Sequence, residues 1–311
     1  MIPQKTAIIG GGICGLYLAW KLSLRGHKVT VFEKKERIGK KACSGLFSER
    51  ILEFIPESRK LIQNEISSVL IHFPKKTLKI DFSRKFLVMN HFDLDNMAAG
   101  LAEKAGAEIL LNNPVSVMPR GFEKIIGCDG PDSFVRRNLG LKNPDYRLAI
   151  QGFIPKEDSS NHVETWPEEE GFIWKIPRGG ETEYGIIAAP KQAKSLLEKF
   201  LKENELKLER EEAGLVPQGF IIPFHSSITL CGDATGLTKP WSGGGVIWGL
   251  MAAQLLLKNF PDFLKYRKEL KKAFRGKIIL SKIATRAAYL LGFKAPWLLP
   301  KNLKIEGDFL T

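Results

Sequence analysis

Cysteine is scarce in this chain. There are four, Cys14, Cys43, Cys128 and Cys231, and no two stand in C-x-x-C spacing. That spacing offers neither a zinc site nor a disulfide framework, so no metal site is expected. Cys14, Cys128 and Cys231 adjoin glycine, in GICG, GCDG and CGD, and read as small packing residues. Cys43, in KKACSG, stands apart. No run of about 18 uncharged apolar residues occurs, so no spanning helix is expected. The start of the chain shows no basic-then-apolar leader, which predicts a cytoplasmic protein. Internal repeats, low-complexity tracts and long linkers are missing too. His72, His91 and His225 are available acids, but no spacing singles one out.

What is present is the balance of a folded, two-domain-sized chain: 311 residues, 44% hydrophobic and 26% charged. The formal charge of +13 is unevenly placed. Lys258–Lys304 holds 13 Lys and Arg against Asp262 and Glu269, a net +11. Such a field favours an anionic membrane surface or an acidic partner protein. No recognition motif accompanies the lysines, so nucleic acid is not expected as a partner.

The organising stretch is Lys5–Glu33, KTAIIGGGICGLYLAWKLSLRGHKVTVFE. Its apolar run Thr6–Ile9 predicts a buried parallel strand. Gly10, Gly12 and Gly15 then form G-x-G-x-x-G, with Ile13 and Cys14 between them. Gly10 permits a tight turn, Gly12 lets a pyrophosphate approach, and Gly15 lets the next helix pack closely. A second strand, Lys28–Phe32, ends on Glu33, placed to accept from a ribose hydroxyl. Strand, loop, helix, strand and acid in this order predict a dinucleotide site.

Further along, Ser48 is expected to cap a helix through Phe54. Ser67–Phe73 and Thr77–Phe82 read as a hairpin, and Phe86–Asn90 as a short strand. Leu94–Lys104 is predicted as a helix, and Glu108–Leu111 and Ser116–Met118 as strands. In IIGCDGPDSFVRR a strand runs into Asp129 and Gly130, a carboxylate suited to a second ribose or to capping a turn. Tyr146–Ile154 and Phe172–Ala188 are β-rich around an acidic loop, Glu164–Glu170. Lys191–Asn204 is an amphipathic helix suited to covering that sheet. Ser227–Leu230 leads into CGDATGLTKPWSGGG, where Gly243, Gly244 and Gly245 open a helix through Leu257 and form a second anion cradle. Lys277–Leu291 is the clearest C-terminal helix, ended by Pro296, Trp297 and Pro300. Domain limits follow: residues 1–66, 84–143 and 214–258 bind the nucleotide, 67–83 and 144–213 form an antiparallel substrate sheet, and 259–311 are basic and helical.

Three motifs, GGGICG with Glu33, IIGCDGPDSFVRR and CGDATGLTKPWSGGG, together resemble the FAD-dependent reductases and monooxygenases of the p-hydroxybenzoate-hydroxylase type. The resemblance implies an α/β fold, a Rossmann-like FAD-binding domain with an inserted antiparallel β-sheet substrate domain. It implies FAD held by Gly10, Gly12, Ile13, Cys14, Gly15, Glu33 and Lys34. Val115 would lie by the adenine, and Asp129, Gly130, Gly232, Asp233 and Pro240 along the ribityl–pyrophosphate stretch. Gly243, Gly244, Gly245 and Val246 would follow the isoalloxazine edge. Within the superfamily, GFIWKIPRGG is similar to the Y-x-W-x-F-P signature of geranylgeranyl reductases, at Phe172, Trp174, Ile176 and Pro177. KKACSG is similar to their flavin-side loop, which adds Lys41, Cys43, Ser44 and Gly45. Gly236 follows GDA where aromatic hydroxylases usually carry histidine. One departure is VMNHFD, where only Asn90 and His91 stand at an arginine position of the family.

The resemblance implies saturation of isolated double bonds on the geranylgeranyl chains of archaeal-type lipid precursors. Hydride would come from reduced FAD, and electrons from ferredoxin or NAD(P)H. Phe172, Trp174, Pro177 and Trp241 are candidate substrate contacts, since aromatic faces suit an apolar chain and a transient cation. Cys43 is the candidate catalytic residue, against an inert buried thiol. Two alternatives stay open, an FAD-dependent monooxygenase on an aromatic or polyprenyl substrate and a non-catalytic FAD- and lipid-binding electron carrier.

Overall fold

The computed structural model describes residues 2–39, 42–169 and 171–308. In chain order its strands are β1 Lys5–Ile9, β2 Lys28–Phe32, β3 Leu46–Ser48, β4 Ile62–Phe73, β5 Lys76–Met89, β6 Glu108–Leu110 and β7 Lys124–Gly127. Then come β8 Asp145–Ile154, β9 His162–Glu168, β10 Gly171–Pro177, β11 Thr182–Ala188, β12 Glu209–Gln218, β13 Ile228–Leu230 and β14 Asn302–Ile305. The helices are α1 Ile13–Ser23, α2 Ile51–Phe54, α3 His91–Lys104, α4 Phe134–Asn138, α5 Ala193–Glu203, α6 Val246–Asn259 and α7 Phe263–Lys294.

The chain divides into two units. The first is built from residues 1–40, 91–145 and 217–277. Its sheet is wholly parallel, in the order β13-β7-β1-β2-β6. β1 is buried from Thr6 to Ile9 because parallel strands covered on both faces read as continuous apolar runs. One face packs Ala7, Ile9, Ile125, Val135, Leu230 and Ala234, with Val115 and Met118 laid against them. α1 is buried at every residue except Lys21, and it packs on α3 and α6. Its apolar residues run all the way round, as a central helix requires.

The second unit takes residues 41–90, 146–216 and 278–311. Its nine-stranded sheet runs β12-β8-β11-β10-β9-β4-β5-β14, with β3 also paired to β5. Strand alternation gives it two apolar faces. One packs Ile66, Phe86, Val88, Trp174, Ile176 and Ile187. The other packs Ile150, Ile173, Ile186 and Ala188 under Ala193 and Leu197 of α5, the cover expected from its amphipathic pattern.

Several local expectations are corrected. Residues 42–66 and 84–90 group with the second unit, because β3 and β4 both pair with β5, one long strand that absorbs the short strand expected at Phe86–Asn90. Ser48 ends β3, and its hydroxyl accepts from the Arg50 N–H, 3.3 Å, one residue ahead of α2. The acidic loop expected at Glu164–Glu170 is strand β9 as far as Glu168. The first of its acids is paired across strands: Glu164 meets His72 Nε2 and Lys175 Nζ, each at 3.0 Å. Ser116–Met118 forms bends rather than a strand. The helix expected over Lys277–Leu291 is the second half of α7, which runs unbroken from Phe263 through Gly276.

Candidate functional site

β1 delivers the glycine turn to the carboxyl edge of the parallel sheet. A Cβ on Gly10, whose φ is +106°, would stand 2.3 Å from the Cys128 carbonyl oxygen, and one on Gly15 2.2 Å from that of Gly10. Both glycines are required by close backbone approach. Gly12 is different, because a Cβ there would meet nothing within 4 Å. This is the open side of the loop. The N–H of Gly10 donates to Phe32 O at 2.8 Å, and that of Gly11 to Glu33 Oε2 at 2.7 Å. The first-turn amides of α1, at Ile13 and Cys14, have no intrahelical partners and lie at the positive end of the helix dipole. Glu33 is 8% exposed, and its Oε1 accepts from the Lys35 N–H at 3.0 Å. The loop and its acid therefore hold each other in place. Lys34 is exposed beside them.

The other segments converge on the same edge. β7 leads into Cys128 and Asp129. Asp129 Oδ2 accepts from the Val135 N–H at 3.0 Å and so caps α4, while Oδ1 is buried with no hydrogen-bond partner among the described residues. Burial pushes this carboxyl above the ordinary aspartate value. β13 leads through Cys231 into a 3-10 turn, Gly232–Thr235, that carries Asp233. A Cβ on Gly245 would lie 2.8 Å from Asp233 Oδ1, so the second cradle sits directly on this carboxylate. Two of its three glycine amides are not open to a ligand. Gly243 N–H donates to Lys239 O at 2.9 Å, and Gly244 N–H to Ser242 Oγ at 3.3 Å. The amides left without intrahelical partners are those of the first turn of α6, from Val246 on. Pro240 is buried in this turn.

Arg136, which sequence reading passed over, ties these segments together. It is fully buried and donates to Ala234 O at 2.9 Å, Pro131 O at 2.7 Å and Asn143 Oδ1 at 3.1 Å. Cys14, Cys128 and Cys231 are all buried under this edge, as packing residues. Hydrogen bonds to Cys231, and then burial, hold Cys14 and Cys128 well above the usual thiol value. His91 is buried against Asp95, 3.3 Å from Nε2 to Oδ1, inside α3. Trp241 is half-buried, edge-on to Trp248 at 5.8 Å between ring centroids.

Cys43, Ser44, Gly45, Phe172, Trp174 and Pro177 belong to the second unit, and Lys41 lies outside the described residues. Cys43 is half-buried, and its carbonyl accepts from Gln151 Nε2 at 3.1 Å. The carbonyl of Ser44 accepts from Arg178 Nη1 at 2.8 Å. Gly45 has φ +62°, and a Cβ on it would stand 2.0 Å from Met89 O. Beneath this loop lies a buried charge pair that no motif announced. Arg178 Nη1 donates to Glu183 Oε2 at 2.6 Å, and Nη2 to Gln63 Oε1 at 2.8 Å. Glu183 Oε1 accepts from Trp174 Nε1 at 2.8 Å. Burial pushes the Glu183 carboxyl up to about 8, against the pull of Arg178 and Trp174, and the charge of Cys43 adds to the rise. Trp174 is sheet core, 7% exposed, and its ring occupies the space a Cβ on Gly185 would need. Phe172 is half-buried on the same face, 6.1 Å from it. A buried Arg–Glu pair leaves no periodicity in the sequence. The only available signal was an acid at an inward position of β11.

Residues 8–52 match the model of an NAD(P)-binding Rossmann-like domain. A digeranylgeranylglycerophospholipid reductase of Methanosphaera stadtmanae is 24% identical to the chain, over 81% of it and 73% of the relative. One from Thermoplasma acidophilum is 23% identical, over 94% of this chain and 89% of its own. Among solved structures, a geranylgeranyl bacteriochlorophyll reductase-like protein from Thermoplasma acidophilum superposes with a TM-score of 0.79 at 22% identity, covering 91% of this chain and 87% of that one. A myxobacterial chondrochloren halogenase, a variant of the FAD-dependent halogenases, gives 0.73 at 14% identity, over 92% and 82%. The chain is thus an α/β protein with a Rossmann-like parallel sheet and a second, largely antiparallel sheet, in the fold that this reductase-like protein and this halogenase share.

Proposed function

We propose that the protein is an FAD-dependent reductase that saturates carbon–carbon double bonds of geranylgeranyl chains on membrane-lipid precursors. The observation that carries the reading is the convergence of the Gly10–Gly15 loop, Glu33, Asp129, Asp233 and the α6 N-terminus on one sheet edge. The names of the curated relatives, over most of the chain, supply the substrate class.

The residues present fit FAD. Gly12 leaves open space where a side chain would stand, and Asp129 Oδ1 is a buried acceptor that a ligand hydroxyl would satisfy. The amides of Gly12, Ile13 and Cys14 would take the pyrophosphate, Glu33 the adenosine ribose and Asp233 the ribityl stretch. Val115 would border the adenine, and Gly245 and Val246 the flavin ring. Reduced FAD, when bound, supplies the hydride.

The rest falls to the protein. An isolated trisubstituted alkene is not polarised, so its saturation needs a proton as well. Cys43 is the proposed group that holds it, with Arg178 and Gln151 fixing the carbonyls of its loop. Phe172 and Trp241 are each proposed as aromatic contacts for the apolar chain. Trp174 acts from the core, as the donor that steadies Glu183.

The test uses FAD-loaded protein, reduced with dithionite under anaerobic conditions and given an unsaturated geranylgeranyl phospholipid. Mass spectrometry should show a gain of two hydrogens per double bond. Unchanged lipid beside unoxidised flavin would sink the proposal. Oxygen consumption driven by the lipid, without saturation, would favour a monooxygenase. Full reduction by Cys43→Ala with FAD retained would remove the thiol from the chemistry.

A further inference from the structure

The solvent side of α7 carries the wrong residues for a solvated helix. The helix is seated on the second unit by its opposite side. Ser281 is buried, Tyr289 Oη donates to Gly171 O at 2.8 Å, and the Phe73 ring fills the space a Cβ on Gly292 would need. Phe73 also meets Phe293, 5.6 Å between ring centroids. Away from this seat, Leu280, Ile283, Ala287 and Leu290 recur at spacings of three and four and share one face of the helix. Ile279 adjoins them. The four large side chains are all more than half exposed, from 52% at Ile279 to 69% at Leu280. Beyond the end of the helix, Trp297 is 75% exposed and Leu298 is exposed beside it. A run this long of large apolar side chains in water marks an interaction face.

Its rim is of one sign. Between Leu270 and Ile305 the sequence has nine Lys and Arg and no Asp or Glu. Lys272, Arg275, Lys282, Arg286 and Lys294 are exposed along the helix. Burial first, and then the neighbouring Arg267 and Arg275, hold the Lys271 ammonium below its ordinary value.

We propose that this face of α7, with Trp297 and Leu298, docks on an anionic phospholipid bilayer. Leu280, Ile283 and Leu290 enter the headgroup boundary, and Lys282, Arg286 and Lys294 meet lipid phosphates. The charge selects this occupant. A second copy docked face to face would oppose cation to cation, and a nucleic acid would have no use for the apolar stripe. The inference does not rest on the reductase reading, since the FAD cradle contributes none of these residues.

The experiment is co-sedimentation of the full, FAD-loaded chain with vesicles of phosphatidylcholine alone or mixed with equal phosphatidylglycerol. Binding is expected to the mixed vesicles, to weaken with salt, and to be slight on phosphatidylcholine. Leu280→Asp with Ile283→Asp should weaken it about tenfold or more, and Lys282→Glu with Arg286→Glu should abolish the preference for anionic lipid. Leu215→Asp, an exposed apolar site on β12, should change nothing. Circular dichroism checks that each variant is folded. The proposal is overturned by a wild-type chain that stays in solution with the mixed vesicles, or by unchanged binding of the Leu280/Ile283 variant. A wild-type dimer in light scattering that the same variant converts to monomer would also overturn it, by giving the face to a second copy. Alkene reduction on detergent-dispersed substrate should survive the double Asp variant, so a failure here is separable from a failure of the enzymatic reading.

Discussion

Glu183 is the side chain whose ionisation the fold changes most plainly. Its folded value is raised above the usual carboxylate value, so between the two the folded state holds a proton that the unfolded chain has released. That contribution to stability is fully present at pH below the unfolded value and is lost as pH rises toward about 8. Melting temperature measured from pH 5 to 9 should therefore fall more steeply in wild type than in Glu183→Gln, which is neutral throughout. Equal slopes would show that Glu183 is ionised across the range. Arg178→Leu removes the donor to Ser44 O and should cost about 1.5–3 kcal/mol. Amide hydrogen exchange at residues 43–46 should quicken, and no change there would mean that Arg178 does not hold the loop. At this scale the sequence was partly legible. Three cysteines beside glycines could be read as packing residues, because the demand for small volume is local. The partners of Glu183 are Trp174 on β10 and Arg178 just beyond it, and nothing in their spacing joins them.

At the scale of elements, the glycine turn separates two kinds of requirement. Gly12→Val adds a side chain where only a ligand would stand, so the melting temperature of the flavin-free protein should barely move while FAD affinity collapses. Gly10→Ala meets the Cys128 carbonyl at a φ that alanine rarely adopts, so it should destabilise the fold by roughly 1–3 kcal/mol. Equilibrium denaturation and flavin fluorescence titration of both variants check the contrast. Gly185→Ala, against the Trp174 ring, should cost about 1–3 kcal/mol by overpacking. The first strand, helix and second strand were readable because burial on both faces leaves an unbroken apolar run. β9 was not, because Glu164 is paired across strands to His72 and Lys175, and composition alone makes the segment look like a loop. β12 reads as polar and carries Pro217, a pattern tolerated at the sheet edge it occupies. α7 is longer than the pattern over Lys277–Leu291 suggested, because the helix continues without a break through Gly276.

For the whole molecule, FAD bound only by the folded state should raise the melting temperature. A hundredfold excess over Kd corresponds to about 2.7 kcal/mol, an upward shift of about 5 °C or more for a chain of this size. Differential scanning fluorimetry with and without added FAD measures it, and Gly12→Val should show none. The general architecture was legible because three motifs mark the ends of parallel strands. The limits of the second sheet were not, because its strands come from widely separated segments. Its edge at β5 has a consequence for synthesis. Residues Lys79–Phe82 pair on their outer side with Asn302–Ile305 alone. During translation the outer edge of those residues, which pair with β4 on their other side, stays open until nearly the whole described chain has left the ribosome. Until then the nascent protein carries an open strand edge, the feature through which β-proteins most readily capture one another. Nascent-chain crowding, rather than equilibrium stability, is therefore where substitutions in the short β14 should first be felt.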